Sequence, residues 1–313
     1  MLEVKNLFKK YGDKVAVNDV SFSVKEGEIV GFLGPNGAGK TTTMNIITGY
    51  LSASAGSVIM DGDDITEKPV QVKKKIGFLP ETPPLYADMT VYEFLSFVYD
   101  LRSCEFNKEK HLAEVCETVK IYEVKDRLIR NLSKGYKQRV GIASAIVGDP
   151  KLVILDEPTV GLDPKQIIEV RNLIRTLGKR HTVILSTHIL SEVQAVCDRI
   201  LVINEGRIVA NDKASNLAAA MGQSVKYKVK VSGPQKEVLS LLRGIPGVTK
   251  AQESGVKEGD SFSFIVEASN GIDIRKPMFK ALAQKGWPIM GLENTDGELE
   301  EIFVRLIDGN KKK

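Results

Sequence analysis

Cysteine is scarce in this chain: 313 residues carry only Cys104, Cys116 and Cys197, far apart and odd in number. That excludes a disulfide framework or a thiolate metal site, and leaves single buried thiols in a reducing compartment. Long apolar runs are missing as well. No stretch approaches the roughly 18 residues that a spanning helix needs, so any membrane role has to come through a partner. The first ten residues, MLEVKNLFKK, contain no apolar signal core, and a secretory signal is not expected. Charge of one sign is absent too. Basic side chains number 44 and acidic ones 40, a net charge of +4. So weak and evenly spread a charge is no nucleic-acid footprint. The basic runs at 73–75 and 311–313 read as solvated.

What is present is ordinary globular material, 42% hydrophobic and 27% charged, at a length that suggests two domains. VNDVSFSV places Val20, Phe22 and Val24 on one face of a half-buried strand. EGEIVGFLG then gives a short apolar strand that runs into GPNGAGKTT, and MNIITGYL continues as a helix. GSVIMDGDDI reads as a hairpin turning at Asp61-Gly62. VKKKIGFLPETPPLY reads as a strand ending in a proline-rich loop. From Thr90 to about Gly148 the chain is helical, with Val91, Phe94, Leu95 and Val98 on one helix face. LVILDE and TVILSTH have the aliphatic runs of buried parallel strands. RILVINEGRIVA closes the region as a hairpin.

A helical connector is expected over 211–222. Beyond it the order β-α-β-β-α-β suggests a small ferredoxin-like sandwich. Trp287 and Phe303 are assigned to its core. GELEEIFVRL would be an amphipathic helix with Leu299, Ile302, Phe303 and Leu306 inward and a Glu301–Arg305 pair outward.

The chemistry concentrates in a few segments. GPNGAGKT, residues 34–41, fits G-x-x-x-x-G-K-[ST] between a strand and a helix. Its glycines let backbone N–H groups turn toward phosphate oxygens. Gly34, Pro35, Asn36, Gly37, Ala38, Gly39, Lys40 and Thr41, with the following Thr42, are the candidate nucleotide ligands. Lys40 should reach the β and γ phosphates, and the Thr41 hydroxyl should hold Mg²⁺. Asp156, at the end of LVILDE, should hold the same Mg²⁺, directly or through water. Glu157 follows as the group that polarises an attacking water. LSKGYKQR, residues 132–139, offers a serine, a loose turn at Gly135 and a helix start, which together make a second anion site.

These segments resemble those of ABC transporter ATP-binding subunits. Seven occur in order over roughly residues 1–215: Tyr11 in KKYGDKVAV, residues 34–41, Glu81 in FLPETPPLY, LSKGYKQR, LVILDEP, VGLDP with Asp163, and His188 in LSTH. The resemblance implies an α/β P-loop NTPase domain over 1–215, with a mixed sheet, an antiparallel β subdomain and a helical subdomain at about 86–148. The α+β ferredoxin-like accessory domain would cover 223–313. It further implies an ATPase with ATP and Mg²⁺ as cofactors, Tyr11 stacked on adenine, and His188 at the γ-phosphate. Two such subunits, a second copy or a close relative, would pair head to tail. Ser133 and the Gly135 N–H would then bind the partner's ATP, and Asp163 is carried over as a further nucleotide-site residue. An integral membrane permease would be docked by MTVYEFLSF and the loop around Tyr86, placing the chain in the cytoplasm, peripheral on the inner face of the membrane. The LEEIF ending resembles an exporter branch. There the extension strengthens pairing, regulates hydrolysis or simply packs. A regulatory subunit with little turnover and a soluble ABC ATPase without transport are the alternatives. His111 and His181 take structural readings.

Three positions depart from the family pattern. Lys134 and Tyr136 stand at the third and fifth positions of L-S-G-G-Q. Lys134 either adds charge near a phosphate or points into solvent. Glu81 replaces the usual glutamine. A carboxylate is a hard donor for Mg²⁺, but it repels phosphate by about 4 kcal/mol at about 4 Å and an effective dielectric near 20. Glu81 is therefore expected near Mg²⁺ but not tight against it. Glu81→Gln should leave Mg-ATP affinity unchanged or raise it in an equilibrium titration. A large loss of affinity would contradict this placement.

Overall fold

The structure, a computed structural model, describes residues 1–213, 216, 225–269 and 272–294. The chain divides into two compact units, Met1–Ala214 and Ser215–Lys313.

The first unit starts with a hairpin, β1 (Leu2–Tyr11) and β2 (Lys14–Val24). Val20, Phe22 and Val24 are buried while Ser21 and Ser23 are exposed, as period-two alternation requires. With β4 (Ala55–Met60) and β5 (Asp63–Asp64) they form an antiparallel sheet of order β2-β1-β4-β5. A second sheet has the order β10-β9-β3-β8-β7-β6. Its strands are β3 (Ile29–Leu33), β6 (Ile76–Leu79), β7 (Leu152–Asp156), β8 (Thr182–Thr187), β9 (Arg199–Asn204) and β10 (Arg207–Asp212). All neighbours are parallel except β10 on β9. Every residue of β3, β7 and β8 is buried, which explains their unbroken aliphatic runs. Phe22 of the first sheet meets Phe32 of the second with ring centroids 5.7 Å apart, within one shared core.

Register decides where function can sit. Leu33 lies beside Thr187, and Asp156 beside Ser186. The loops leaving β3, β7 and β8 therefore emerge together at the C-terminal edge of the parallel sheet, where α/β proteins bind ligands. The loop after β3 enters α1 (Lys40–Ile47), and that after β8 enters α7 (Leu190–Val196). α6 (Pro164–Leu177) follows the segment leaving β7.

The helical region contains α3 (Val91–Leu101), α4 (Lys108–Thr118) and α5 (Lys134–Ile146). Each has a short polar residue at its N-cap. Thr90 forms a full capping box with Glu93, which satisfies two backbone donors at once. Val91, Phe94 and Leu95 are buried and Val98 is half-buried, so the expected helix face is the one that packs. The stretch before β6 differs from expectation. Pro69–Lys74 is a helix, α2, and the strand begins only at Ile76. Pro69 at its start needs no N–H partner, and Lys73 and Lys74 in the last turn suit the helix dipole. Lys73 and Lys74 are exposed, but Lys75 is half-buried and 2.8 Å from Asp63. It is therefore paired rather than simply solvated. Cys116 is buried, Cys104 and Cys197 are half-buried, and all are free thiols. His181 is buried with Nδ1 2.7 Å from the Pro150 carbonyl, and His111 Nε2 accepts from the Gly148 N–H at 2.9 Å. Both histidines are structural.

The second unit runs β11 (Val225–Ser232), α8 (Gln235–Arg243), β12 (Val248–Glu258), β13 (Ser261–Ala268), α9 (Arg275–Gln284) and β14 (Ile289–Asn294). The sheet order β12-β13-β11-β14, antiparallel throughout, is the ferredoxin-like arrangement. Val229 and Val231 from β11, Phe264 and Val266 from β13, and Leu242, Met278 and Leu282 from the helices form its core, with Trp287 packed at the margin. The connector over 211–222 lies largely outside the described residues. So does the amphipathic segment with Leu299, Glu301, Ile302, Phe303, Arg305 and Leu306.

Candidate active site

The floor of the site is the end of β7. Asp156 is its last residue and is fully buried. Successive strand residues face opposite ways, so Glu157 would ordinarily turn away from Asp156. It does not, because its backbone adopts φ 49°, the left-handed region, while its N–H stays bonded to the Ser186 carbonyl at 2.9 Å. That conformation is costly for a residue with a β-carbon and is found at functional sites. The Glu157 carboxylate then meets two groups. Oε1 lies 3.3 Å from Lys40 Nζ, and Oε2 lies 2.9 Å from Nδ1 of His188.

Lys40 is itself 6% exposed, and its ammonium donates to the carbonyls of Gly34 (2.8 Å) and Pro35 (3.3 Å). Gly39, the residue before it, has φ 105° and sits against the backbone of β2. A β-carbon there would lie 2.5 Å from the Ala16 carbonyl oxygen. Only glycine fits, and no side chain caps α1. The first N–H groups of that helix are thus left for an anion. Ala38 is buried and closes a turn onto the Pro35 carbonyl.

A cleft of about 490 Å³ opens over this floor. It gathers Tyr11 at one side, Asn36, Gly37, Gly39, Lys40, Thr41 and Thr42 from the loop and helix start, and Glu81, Glu157 and His188 from three other loops. Tyr11 is half exposed at 48%, with the Lys9 ammonium 5.3 Å from its ring centroid. An open aromatic face of this kind can stack on a base. Glu81 is exposed at the rim. Lys14, Ala16 and Val160 also line the cleft. Sequence reasoning did not single them out: Lys14 and Ala16 reach the cleft from the β1–β2 hairpin, and Val160 from the segment after β7.

Both oxygens of Asp156 are buried without a hydrogen-bond partner of normal geometry. Burial pushes its carboxyl above the ordinary carboxylate value. The nearby Ser186 and Thr41 hydroxyls and the Lys40 charge offset this only in part. An orphaned buried carboxylate beside a threonine hydroxyl fits a hard divalent cation. Among the described residues, no cluster of three or more His, Cys, Asp and Glu side chains could hold a metal by itself. The remaining ligands would have to be phosphate and water oxygens, as is usual for Mg²⁺.

Ser133, Gly135 and Asp163 are not among the residues lining this cleft. Ser133 caps α5 through a long 3.4 Å contact from the Tyr136 N–H, and it is exposed. The Gln166 amide lies over Gly135. Asp163 caps α6, accepting from the Gln166 N–H at 2.9 Å, and is exposed. The Lys134 ammonium sits where a β-carbon on Gly161 would be, beside the VGLDP segment. Tyr136 donates its hydroxyl to Glu123 at 2.6 Å, a bond that raises the phenol above its ordinary pKa. These two departures from the signature are thus accommodated by contacts within the chain.

The "ABC transporter" family profile matches residues 17–160. The linearmycin resistance ATP-binding protein LnrL of Bacillus subtilis (strain 168) is 36% identical over 252 residues, 79% of this chain and 80% of that protein. The chain belongs to the ATP-binding proteins of ABC transporters. The bacitracin transport ATP-binding protein BcrA of Bacillus licheniformis is 31% identical over 320 residues, 99% of this chain and 98% of that protein, so its likeness extends through the second unit. Among solved structures, the dimeric post-hydrolysis cassette MJ0796 bound to ADP and Pi aligns with a TM-score of 0.62. It is 26% identical and covers 68% of this chain and 98% of its own. This ABC subunit therefore binds nucleotide and hydrolyses ATP as part of a transporter. That decides against the non-transport alternatives.

Asp156→Asn tests the cation assignment. A carboxyl with a raised native pKa costs stability once the pH rises above its unfolded value, about 3.8. At neutral pH the variant should therefore raise the thermal midpoint of the nucleotide-free protein, by on the order of 1 kcal/mol in stability. It should also lose most of the further rise that Mg-ATP gives over ATP with chelator. A wild-type Mg²⁺-dependent increment would contradict the assignment.

Proposed function

We propose that this ABC subunit pairs head to tail with a second copy or a close relative, and that each partner completes the other's nucleotide site. The observation that carries this is the separation just described. The cleft holds the phosphate loop, Glu157 and His188, while exposed Ser133, the start of α5 and Asp163 stand elsewhere on the same chain. A serine held by one 3.4 Å contact at the start of a 13-residue helix is free to bond a phosphate brought by a partner. The dimeric MJ0796 cassette supports such pairing. Nucleotide contacts made only in the closed pair then shift the open–closed equilibrium.

Within the site, Tyr11 stacks on the base, and backbone N–H groups at the start of α1, with Lys40, hold the phosphates. Thr41 and Asp156 would hold Mg²⁺, with Glu81 at the rim, and the cation would neutralise charge on the β and γ oxygens. Glu157 orients the attacking water. His188, fixed by its 2.9 Å contact to Glu157, meets the γ-phosphate. Loss of that phosphate releases the pair.

Force leaves the subunit through the helical region. Tyr86 is 52% exposed and packs edge-on against Phe94 and Phe97, with Leu101 also exposed. We assign this patch to a coupling segment of a membrane permease. No helix among the described residues is long and apolar enough to cross a membrane. Attachment through the permease would place the subunit on the inner face of the cell membrane. Relatives named for linearmycin resistance and bacitracin transport support export. The second unit is assigned a pairing or regulatory part.

Glu157→Gln should lower steady-state ATPase turnover by about a hundredfold or more, while ATP binding persists. A wild-type turnover in that variant would remove Glu157 from the chemistry.

A further inference from the structure

Behind the cleft lies a carboxylate that the mechanism above does not use. Glu192, in the first turn of α7, is 1% exposed. Among the described residues it makes no ion pair. Instead its two oxygens are taken by two hydroxyls, one from the loop after β7 and one from the last residue of β8, where the next loop begins. Thr159 Oγ1 donates to Oε1 at 2.5 Å, and Thr187 Oγ1 donates to Oε2 at 2.8 Å. A carboxylate buried this deeply needs a donor for each oxygen, and these two hydroxyls supply them.

Those two threonines flank the reacting groups. Thr159 is two residues after Glu157, and Thr187 immediately precedes His188. Thr187 Oγ1 also accepts from the Ile189 N–H at 3.1 Å. One hydroxyl anchored on Glu192 therefore grips the chain on both sides of His188. An acid at this point of a helix can also reach back to the N-cap N–H. Here that N–H, on Ile189, goes to Thr187, so Glu192 is committed to the two loops rather than to capping α7. On the far side of the same loops, Glu157 and His188 meet at 2.9 Å. Glu157 holds its left-handed conformation there, a strained state that persists only when its surroundings over-determine it.

We propose that Glu192 is a positioning residue: it ties the loop after β7 to the loop after β8 and so sets the register of Glu157 against His188. The inference rests on the roles assigned to those two residues above. It implies that loss of the tie acts on turnover and not on nucleotide capture, because Lys40 and the residues 34–41 are held by their own contacts.

Glu192→Gln removes one acceptor and adds a donor, so it cannot receive both hydroxyls as the carboxylate does. Its kcat should fall on the order of 10- to 100-fold, the scale of an ångström-sized misplacement, with KM for ATP close to wild type. Thr187→Val should reproduce the effect and Thr187→Ser should restore it. This series keeps the proposal testable if Glu192→Gln fails to fold. The deciding measurement is a double-mutant cycle in kcat. In a His188→Ala background, Glu192→Gln should have little further effect, since the register it sets has lost its object. The same fold-loss in both backgrounds, or an unchanged kcat for Glu192→Gln or Thr187→Val, overturns the proposal. A wild-type kcat for His188→Ala alone overturns the site assignment itself and this inference with it, a result distinct from the others.

Discussion

Glu157 stands in a backbone conformation that turns its carboxylate to the cleft beside the buried Asp156, and most of the site follows from that turn. Asp156 is left buried with no partner of normal geometry, while Glu157 reaches both Lys40 and His188. Two acids and one ammonium on a dry floor form a charge arrangement that is incomplete by itself. A bound nucleotide with its cation would add opposite charges of its own in the same place. The fold supplies the constraint cheaply. β7 is fully buried between β6 and β8, so its end cannot drift, and the 2.9 Å bond from the Glu157 N–H to the Ser186 carbonyl fixes the first residue beyond it.

Much of this was legible in the sequence because aliphatic runs and glycine loops are local signals. LVILDE showed its buried strand and its terminal acids, and GPNGAGKT showed the phosphate loop with its flanking elements. The β-α-β-β-α-β order of the second unit was legible for the same reason, and the sheet order agrees with it. Other features were not. A left-handed angle at Glu157 has no signature when the residue is not glycine. Glu192 reads as an ordinary surface acid in a polar helix turn, and only tertiary packing takes it to 1% exposure. The α2 helix was hidden because six residues are too few to show a period, and its lysines resemble a lead into the strand. Lys14 and Ala16, within KKYGDKVAV, reach the cleft through hairpin geometry that the segment's residue types do not announce.

The departures at the signature gain meaning from their contacts. Lys134 and Tyr136 replace residues whose smallness or amide chemistry the family pattern would favour. Here Tyr136 ties α5 to Glu123, and Arg139 ties the same helix to the Val119 carbonyl and to Glu169. The start of α5 is thereby braced from inside the chain. Ser133 and Lys134 remain exposed at its tip, while Gly135 is buried beneath the Gln166 amide. Glu81 at the rim follows a similar logic, close enough to the cleft to matter and open enough to stay solvated.

The claim that a working site needs two chains is tested most directly by complementation. Lys40→Ala disables a chain's own phosphate loop, and Ser133→Ala disables what it lends to its neighbour. Each variant alone should show little ATPase activity. An equimolar mixture should recover activity, because a mixed pair contains one site with an intact phosphate loop facing an intact Ser133. A mixture as inactive as its components, or a Ser133→Ala variant with wild-type activity alone, would contradict the account.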